Sequence, residues 1–401
     1  EQGALENPSN ILLTYLARVT DTHPPFVQRA IDAAQPDDER SKRYLISLGT
    51  DLPASGARTV GEKAILWIPE TDTYHDLAYR GLDLLEHLCS HNEYDTALNL
   101  LDVILTPRQV NGNDQLEGNQ GMTRYRLIQA LEEIFTDLRE ERPDGLIEVL
   151  YTNLKDVLRI EWEDSVEYDV IVKQMPVTEL DYVDENRGKL KHILLQYFIC
   201  AVTAWVSGDP VAADRREFVK ELLDDPVMFQ RVGFTLLAAP PKYYLDIIET
   251  ELLDKENYRD RPAAFEFHRL LATAFGYLEE DAEAQVCDII SDGPYTDVEN
   301  RAEQLAEWRE ESTGYLEQRL RETWRRDRFY LIQDSLPDPY ATQLNELLEK
   351  HGEPDRLPSE PFQSPVTRTG ADRGATGPTS RRSAHHCRRM GTPGNRTMGS
   401  R

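Results

Sequence analysis

The chain has 401 residues, 45 Lys+Arg and 72 Asp+Glu, for a formal net charge of −27. Repulsion alone sets such a chain against nucleic acid and anionic membranes. No run approaches the roughly 18 apolar residues of a membrane span; the longest, Ile193 to Val206, carries Gln196 and Thr203. A hydrophobic content of 40% supports a substantial core but suits an architecture with much surface per residue, as two or three domains or one elongated repeat array.

In chain order the dominant period is helical. Leu82, Leu85 and Leu88, then Tyr94, Leu98, Leu101 and Leu105, follow the spacing of amphipathic helices, with His91-Asn92 as a turn short enough only for an antiparallel hairpin. Helices are expected over Tyr125–Leu138, Leu146–Ile160, Leu190–Val206, Arg216–Leu223, Val227–Leu237, Tyr243–Leu253, Phe265–Leu278, Ala282–Ile290 and Ala341–Glu349, with a long charged run from Val298 to Ser335. Punctuation falls between them at Pro24-Pro25, Pro107 with the Asn111–Gly121 loop, Pro143, Gly208-Asp209-Pro210, Pro226, Pro240-Pro241, Pro262 and Gly293-Pro294. Several of these prolines stand where a helix begins, where the missing N–H costs nothing. Val166–Val172 is the best strand candidate. Asn92–Leu105 and Glu279–Ile290 repeat an acidic turn, a small residue and an Asp–apolar–apolar ending. Helix pairs that cannot bury their faces alone are the units of α-solenoids. The expected fold is all-α: a solenoid-like array of antiparallel helix pairs, degenerate HEAT-like or TPR-like, with a disordered C-terminal tail. Its expected domains are an N-terminal array over 1–160, an irregular acidic joint over 161–188 (opening on Trp162, Glu163 and Asp164), a C-terminal array over 189–363 and the tail over 364–401.

That tail differs in kind. Residues 364–401 hold eight Arg and one Asp, a net of +7, which leaves −34 for residues 1–363. The tail uses no Lys and shows no apolar period. A reading-frame slip in a GC-rich coding region explains the abrupt switch at Gln363–Ser364, and a genuine basic arm for nucleic acid or a low-complexity linker are the alternatives. The chain as a whole has ten Lys against 35 Arg. Dense carboxylates with scarce Lys point to a halophile, because molar salt shortens the Debye length to ~3 Å and screens self-repulsion. The four cysteines, Cys89, Cys200, Cys287 and Cys387, are far apart without a CxxC, and three lie in apolar helical runs. They fit a reducing cytoplasm better than a disulfide scaffold. No signal peptide is visible, and the chain begins at Glu1 without Met, so a fragment or processed product is expected.

The chemically suggestive motifs each have a plainer account. Gly56–Lys63 (GARTVGEK) resembles a phosphate loop, but Glu62 stands where Lys must follow Gly61 and no strand precedes, so a helix-entry loop is the better reading. His87, Cys89 and His91 place two imidazoles at i, i+4, a metal spacing, yet Leu88 occupies the position where a zincin needs Glu. They are weak metal candidates, and a packed helix end is the alternative. Asp184-Glu185 and Glu279-Glu280-Asp281 lack the EF-hand spacing. His385-His386-Cys387 lies in the suspect tail. Trp324, Arg325, Arg326 and Arg328 form a basic-aromatic patch that could meet a partner's carboxylates, or serve intramolecular ion pairs.

The segment Trp324–Pro358 (WRRDRFYLIQDSLPDPYATQLNELLEKHGEPDRLP) has a helix ending in Ile-x-Asp-x-Leu-Pro, a short helix and then Gly-Glu-Pro. It resembles the far C-terminal region of large prokaryotic ATP-binding proteins of the STAND/AAA type. The opening, Tyr15–Val19 and Pro24–Ile31, is similar to the start of their helical-repeat region. The resemblance implies the sensor or scaffold part of a longer chain in defence or signalling. It carries over no catalytic residue, because no nucleotide-binding motif is present.

The expected function is therefore a non-catalytic scaffold or sensor that takes a protein or peptide partner, works in the cytoplasm and needs no cofactor. No membrane is expected as a partner, and nucleic acid only if the tail is genuine. An all-helical metal-dependent hydrolase built from scattered carboxylates is the alternative, and it requires His87, His91 or His268 to converge with acids in one pocket. Nucleic-acid binding through the tail is the further alternative.

Overall fold

A computed structural model of the chain describes residues 15–16, 18–19, 22–36, 38–70, 74–107, 120–164, 177, 190–225, 227–239, 241–259, 263–295 and 297–359. The strand candidate Val166–Val172, Asp184-Glu185, most of the Asn111–Gly121 loop and the whole 364–401 tail lie outside them. The described residues are all-α, with no strand among them. They divide into two compact units, one of residues 15–164 with 190–202 and the other of residue 177 with 203–359.

The first unit contains α1 (Pro24–Ala33), α2 (Glu39–Gly49), α3 (Ala54–Trp67), α4 (Tyr74–Ser90), α5 (Tyr94–Leu105), α6 (Gln120–Glu141) and α7 (Pro143–Asp164). Local chemistry sets their ends. Two prolines open α1, and Asp38 caps α2 by accepting from the Ser41 N–H at 2.9 Å. After α4, Asn92 takes a left-handed φ of 63°. Its N–H reaches the Cys89 carbonyl and that of Glu93 reaches Leu88, a Schellman ending in which Asn replaces the usual Gly.

The packing is that of a two-layer helical array. Consecutive helices pair from α2 to α7, and each helix also packs on the one two places along: α1 on α3, α3 on α5 and α5 on α7 in one layer, α2 on α4 and α4 on α6 in the other. The apolar stripes fill the space between, with Leu45, Ile46, Val60, Ala64, Leu82, Leu85, Leu88, Leu100, Leu101, Leu131, Leu150 and Leu154 all removed from solvent. Each such Leu, Ile or Val contributes roughly 1.5–3 kcal/mol. Glycines allow the closest approaches: a Cβ on Gly61 would lie 2.8 Å from Thr96 Cγ2, and one on Gly145 2.8 Å from Leu98 Cδ1.

Polar ties repeat along both layers. Lys63 Nζ donates to the Ala34 carbonyl at the end of α1 (2.9 Å). Arg43 pairs with Asp76 at 3.0 Å, and Arg126 of α6 holds both Asp83 (2.8 Å) and Glu86 (2.7 Å) of α4. Asn153 Nδ2 of α7 donates to Asp102 of α5 at 2.7 Å.

Three local expectations change. Gly56–Lys63 is not a loop: it lies wholly inside α3, where Gly56 and Gly61 serve helix contact. The helix α7 continues through Trp162, Glu163 and Asp164, whose acidic character had suggested a break. Residues Gln120 and Gly121, placed in a loop, open α6.

The next helix, α8 (Leu190–Gly208), has 19 residues, and its most apolar 18-residue window has a mean hydropathy of 1.3. By length and composition it could cross a bilayer, which corrects the expectation that no stretch comes close. The helix extends past Ile193–Val206 at both ends, and Gln196 and Thr203 are too few to offset its apolar side chains. Of that window 44% is buried within the protein. In the first unit, Phe198 stacks on Tyr151 at 5.8 Å and Tyr197 meets the edge of Phe135 at 4.9 Å.

The second unit contains α9 (Ala213–Asp224), α10 (Val227–Ala238), α11 (Leu245–Leu253), α12 (Ala264–Ala274), α13 (Glu280–Asp292), α14 (Val298–Arg309), α15 (Thr313–Leu331) and α16 (Asp338–His351). The same alternation recurs, with α10 on α12, α11 on α13 and α13 on α15, while α14 and α16 flank α15. The charged run expected as one stretch, Val298–Ser335, is two helices. Glu310 takes a left-handed φ of 54°, and the Ser312 hydroxyl accepts from the Tyr315 N–H to start α15. Leu for Gly61 should lower unfolding stability in a urea titration by about 1–3 kcal/mol through overpacking, whereas Ala for Gly314, whose Cβ would meet nothing within 4 Å, should cost nothing measurable.

Candidate functional site

Charged residues inside apolar helices mark the centre of the second unit. Arg231 stands in VMFQRVGFTLLA and Glu266 in AFEFHRLLATA. Both are sealed, at 0% and 2% exposure. Arg231 Nη2 donates to Glu266 Oε1 (2.8 Å) and Nε to Oε2 (3.0 Å), a two-point clamp between α10 and α12. The same Oε1 accepts the Val177 N–H at 2.8 Å. Three donors on one carboxylate offset part of the cost of removing both charges from water. This pair was not foreseen from the sequence, although a lone Arg and a lone Glu within apolar helices are a readable signal.

On the same helix His268 is also buried, with no side-chain partner and at most a weak tie to the Ala264 backbone one turn earlier. Burial, reinforced by the Arg328 cation, holds its pKa well below the usual value of 6.5. The surroundings are aromatic. Phe267 meets Tyr258 edge-on at 4.9 Å, and Tyr258 donates its hydroxyl to the Leu252 carbonyl at 2.9 Å. Here His268 is a neutral packing residue with no access to a substrate.

The basic-aromatic patch is spent internally. Arg328 stacks over the Trp324 ring at 4.0 Å, and Trp324 meets Tyr295 edge-on at 6.3 Å. A Cβ on Gly293 would strike the Trp324 ring at 2.5 Å, so Gly293 makes room for it. Arg325 Nε donates to the Gly293 carbonyl at 3.3 Å. Arg326, itself buried, bonds Asp327 at 2.7 Å and donates from Nη1 to the His351 and Gly352 carbonyls at 3.1 Å each. It thereby satisfies the last carbonyls of α16. Beside it Glu322 accepts from Lys350 (2.7 Å) and His351 (2.6 Å). Burial pushes its carboxyl up, but hydrogen bonds from Lys350, Gln318 and His351 together win and hold it at about 2.

In the first unit the HLCSH segment closes α4. His87 Nε2 donates to the Leu52 carbonyl at 2.8 Å, and His91 Nδ1 donates to the His87 carbonyl at 2.9 Å. The two rings lie 4.2 Å apart, each with one nitrogen committed to backbone. Burial pushes the Cys89 thiol up to about 12, and that of Cys287 likewise; both are free and inert as nucleophiles. Glu279, Glu280 and Asp281 stand at the start of α13, where carboxylates complement the helix dipole. Among the described residues no group of three His, Cys, Asp or Glu is arranged to hold a metal ion.

What stands out on the surface is aromatic. Trp308 is 90% exposed and Tyr315 55%, either side of the turn between α14 and α15. Neither was singled out in the sequence, where the charged run hides them. No protein-family model matches the chain, and no curated protein or solved structure matches it.

Removing one partner of the buried clamp, as in Glu266→Gln or Arg231→Met, should cost about 3–5 kcal/mol, because it strands the other charge. The double variant Arg231→Met/Glu266→Leu should recover most of that, read as a coupling energy in a denaturant double-mutant cycle. His268 has a depressed folded-state pKa, so its contribution to stability is full above pH 6.5 and is lost as pH falls below it. Replacement by Phe should flatten the melting temperature between pH 6.5 and 5, and an unchanged slope would assign the acid sensitivity elsewhere.

Proposed function

We propose that this chain is a non-catalytic helical-repeat scaffold or sensor that binds a protein partner, and that it forms part of a larger ATP-binding switch protein. What supports the reading is how the chain spends its reactive side chains. His268, Cys89 and Cys287 are buried, His87 and His91 are bonded to backbone, and Arg326 caps a helix. Aromatic side chains stand in solvent at Trp308 and Tyr315, a residue type enriched at binding interfaces. The link to STAND/AAA-type proteins rests on the Trp324–Pro358 segment, folded here as the end of α15, a short 3-10 turn and α16.

The cytoplasm of a halophile is the proposed setting. Its support is the −34 charge of residues 1–363, with ten Lys in the whole chain. The thiols of Cys89 and Cys287 are free, but Cys200 is disulfide-bonded, against the expectation that the cysteines fit a reducing compartment. Nucleic acid through the tail and metal-assisted hydrolysis are the competing outcomes.

The test is affinity capture with the tagged full chain from an extract of its own cells in ~2 M KCl, where charge is screened, with the melting midpoint followed from low to high KCl. A stoichiometric protein partner and a midpoint that rises with salt are expected. Hydrolysis of an ester or phosphodiester substrate that requires added divalent metal would overturn the reading. So would salt-sensitive capture of nucleic acid in place of protein.

A further inference from the structure

Helix α14 packs principally on α15, and only Val298 and Ala302 of its twelve residues are buried. At its far end Trp308 is almost wholly in solvent, and Tyr315 follows just past the turn. This tip is open: a Cβ added at Gly314 would meet nothing within 4 Å. Trp is highly buried on average, and binding hot spots are enriched in Trp and poor in Leu, so an exposed Trp is the more informative of the two. The neighbouring charge is one-sided. Between Val298 and Glu311 stand five Glu (299, 303, 307, 310 and 311) against Arg301 and Arg309, a net of −3. One oxygen of Glu311, at the turn itself, is shielded from solvent and has no hydrogen-bond partner among the described residues.

A π-face beside unneutralised carboxylates is complementary to a guanidinium, which stacks on the ring while its N–H groups meet the acids. We propose that the tip of the α14–α15 hairpin docks an extended, arginine-bearing segment of a partner protein, with Trp308 and Tyr315 as stacking platforms and Glu307, Glu310 and Glu311 as counter-charges. The assignment rests on the scaffold reading above and names the partner's chemistry. A second copy of the chain is opposed by its own acidity, −34 over residues 1–363, and an anionic lipid surface by the same repulsion. The chain's own 364–401 segment has the right sign and is decided by the experiment.

The probe is a fluorescein-labelled dodecapeptide of alternating Arg and Gly, with its Glu counterpart as control, titrated into the full chain in 0.5 M KCl. Saturable binding of the Arg peptide alone is expected. Trp308→Ala should weaken it at least tenfold, while Leu66→Ala, at a 66% exposed apolar position of the first unit, should stay within twofold. Circular dichroism of each variant checks its fold. Equal affinity in the two variants means diffuse attraction to an acidic surface and overturns the proposal, as does the absence of saturable binding. A photo-cross-linking benzoylphenylalanine at position 308 identifies the occupant. Adducts with the Arg peptide support the proposal, whereas adducts with residues 364–401 or with a second copy overturn it. A natural partner captured equally by wild type and Trp308→Ala removes this surface and leaves the scaffold reading standing. Failure of wild type to capture any partner removes the scaffold reading itself.

Discussion

Short amphipathic helices cannot bury their own apolar faces, and everything else in this chain follows from how that is solved. In the first unit each helix from α2 to α7 is covered by its sequence neighbour on one side and by the helix two places along on the other, and α1 lies on α3. The period of the Leu and Val stripe therefore dictates a stack, because a helix with two buried edges must have a partner at each. Glycines and alanines at the crossings bring the helices close. Bulk at Gly61 or Gly145 would push a layer apart, since the space there is already taken by Thr96 and Leu98.

Polar chemistry is subordinate to this stacking and registers it. Ion pairs and hydrogen bonds recur at the same kind of step: Arg43 with Asp76, Arg126 with Asp83 and Glu86, Asn153 with Asp102. Most are partly exposed and contribute little to stability one by one. The clamp between Arg231 and Glu266 is different because water is excluded from it. There the charges hold one another and the Val177 backbone, so that one carboxylate joins three separate parts of the second unit. Such a pair gains less than an apolar replacement would, yet it tolerates no unpaired state, which favours a single register of α10 against α12.

The helices with clean periodicity were legible in the sequence: α4, α5, α6, α7 and α10 all cover their apolar runs, whereas α12 stops at Ala274 and the expected Phe265–Leu278 run ends in a 3-10 turn over Phe275–Tyr277. The turn at His91-Asn92 was legible too, since a two-residue break between stripes leaves no other path. Less was visible where composition masked the pattern. Five Glu and two Arg between Val298 and Glu311 obscured a helix end whose signals are a left-handed Glu310 and a Ser312 cap, neither of which declares itself by hydropathy. Gly56–Lys63 looked like a loop because glycine reads as a breaker, although here it serves a crossing. The HLCSH spacing is that of a metal site, but one nitrogen of each ring went to a carbonyl, His87 to that of Leu52, far off in sequence.

Composition and periodicity by themselves determined that this protein is helical, that its helices pair, and that it carries a net charge of −27. These are local or additive properties: helix period is set within a few turns, and charge sums regardless of fold. Tertiary structure alone decided which polar side chains are spent and which are available. Arg325, Arg326 and Arg328, equivalent to the eye in the sequence, went to a carbonyl of Gly293, the end of α16 and the face of Trp324. Trp308, unremarkable in a charged run, was left in solvent. Burial depends on what arrives from elsewhere in the chain, and that information is in no window of the sequence around the residue itself.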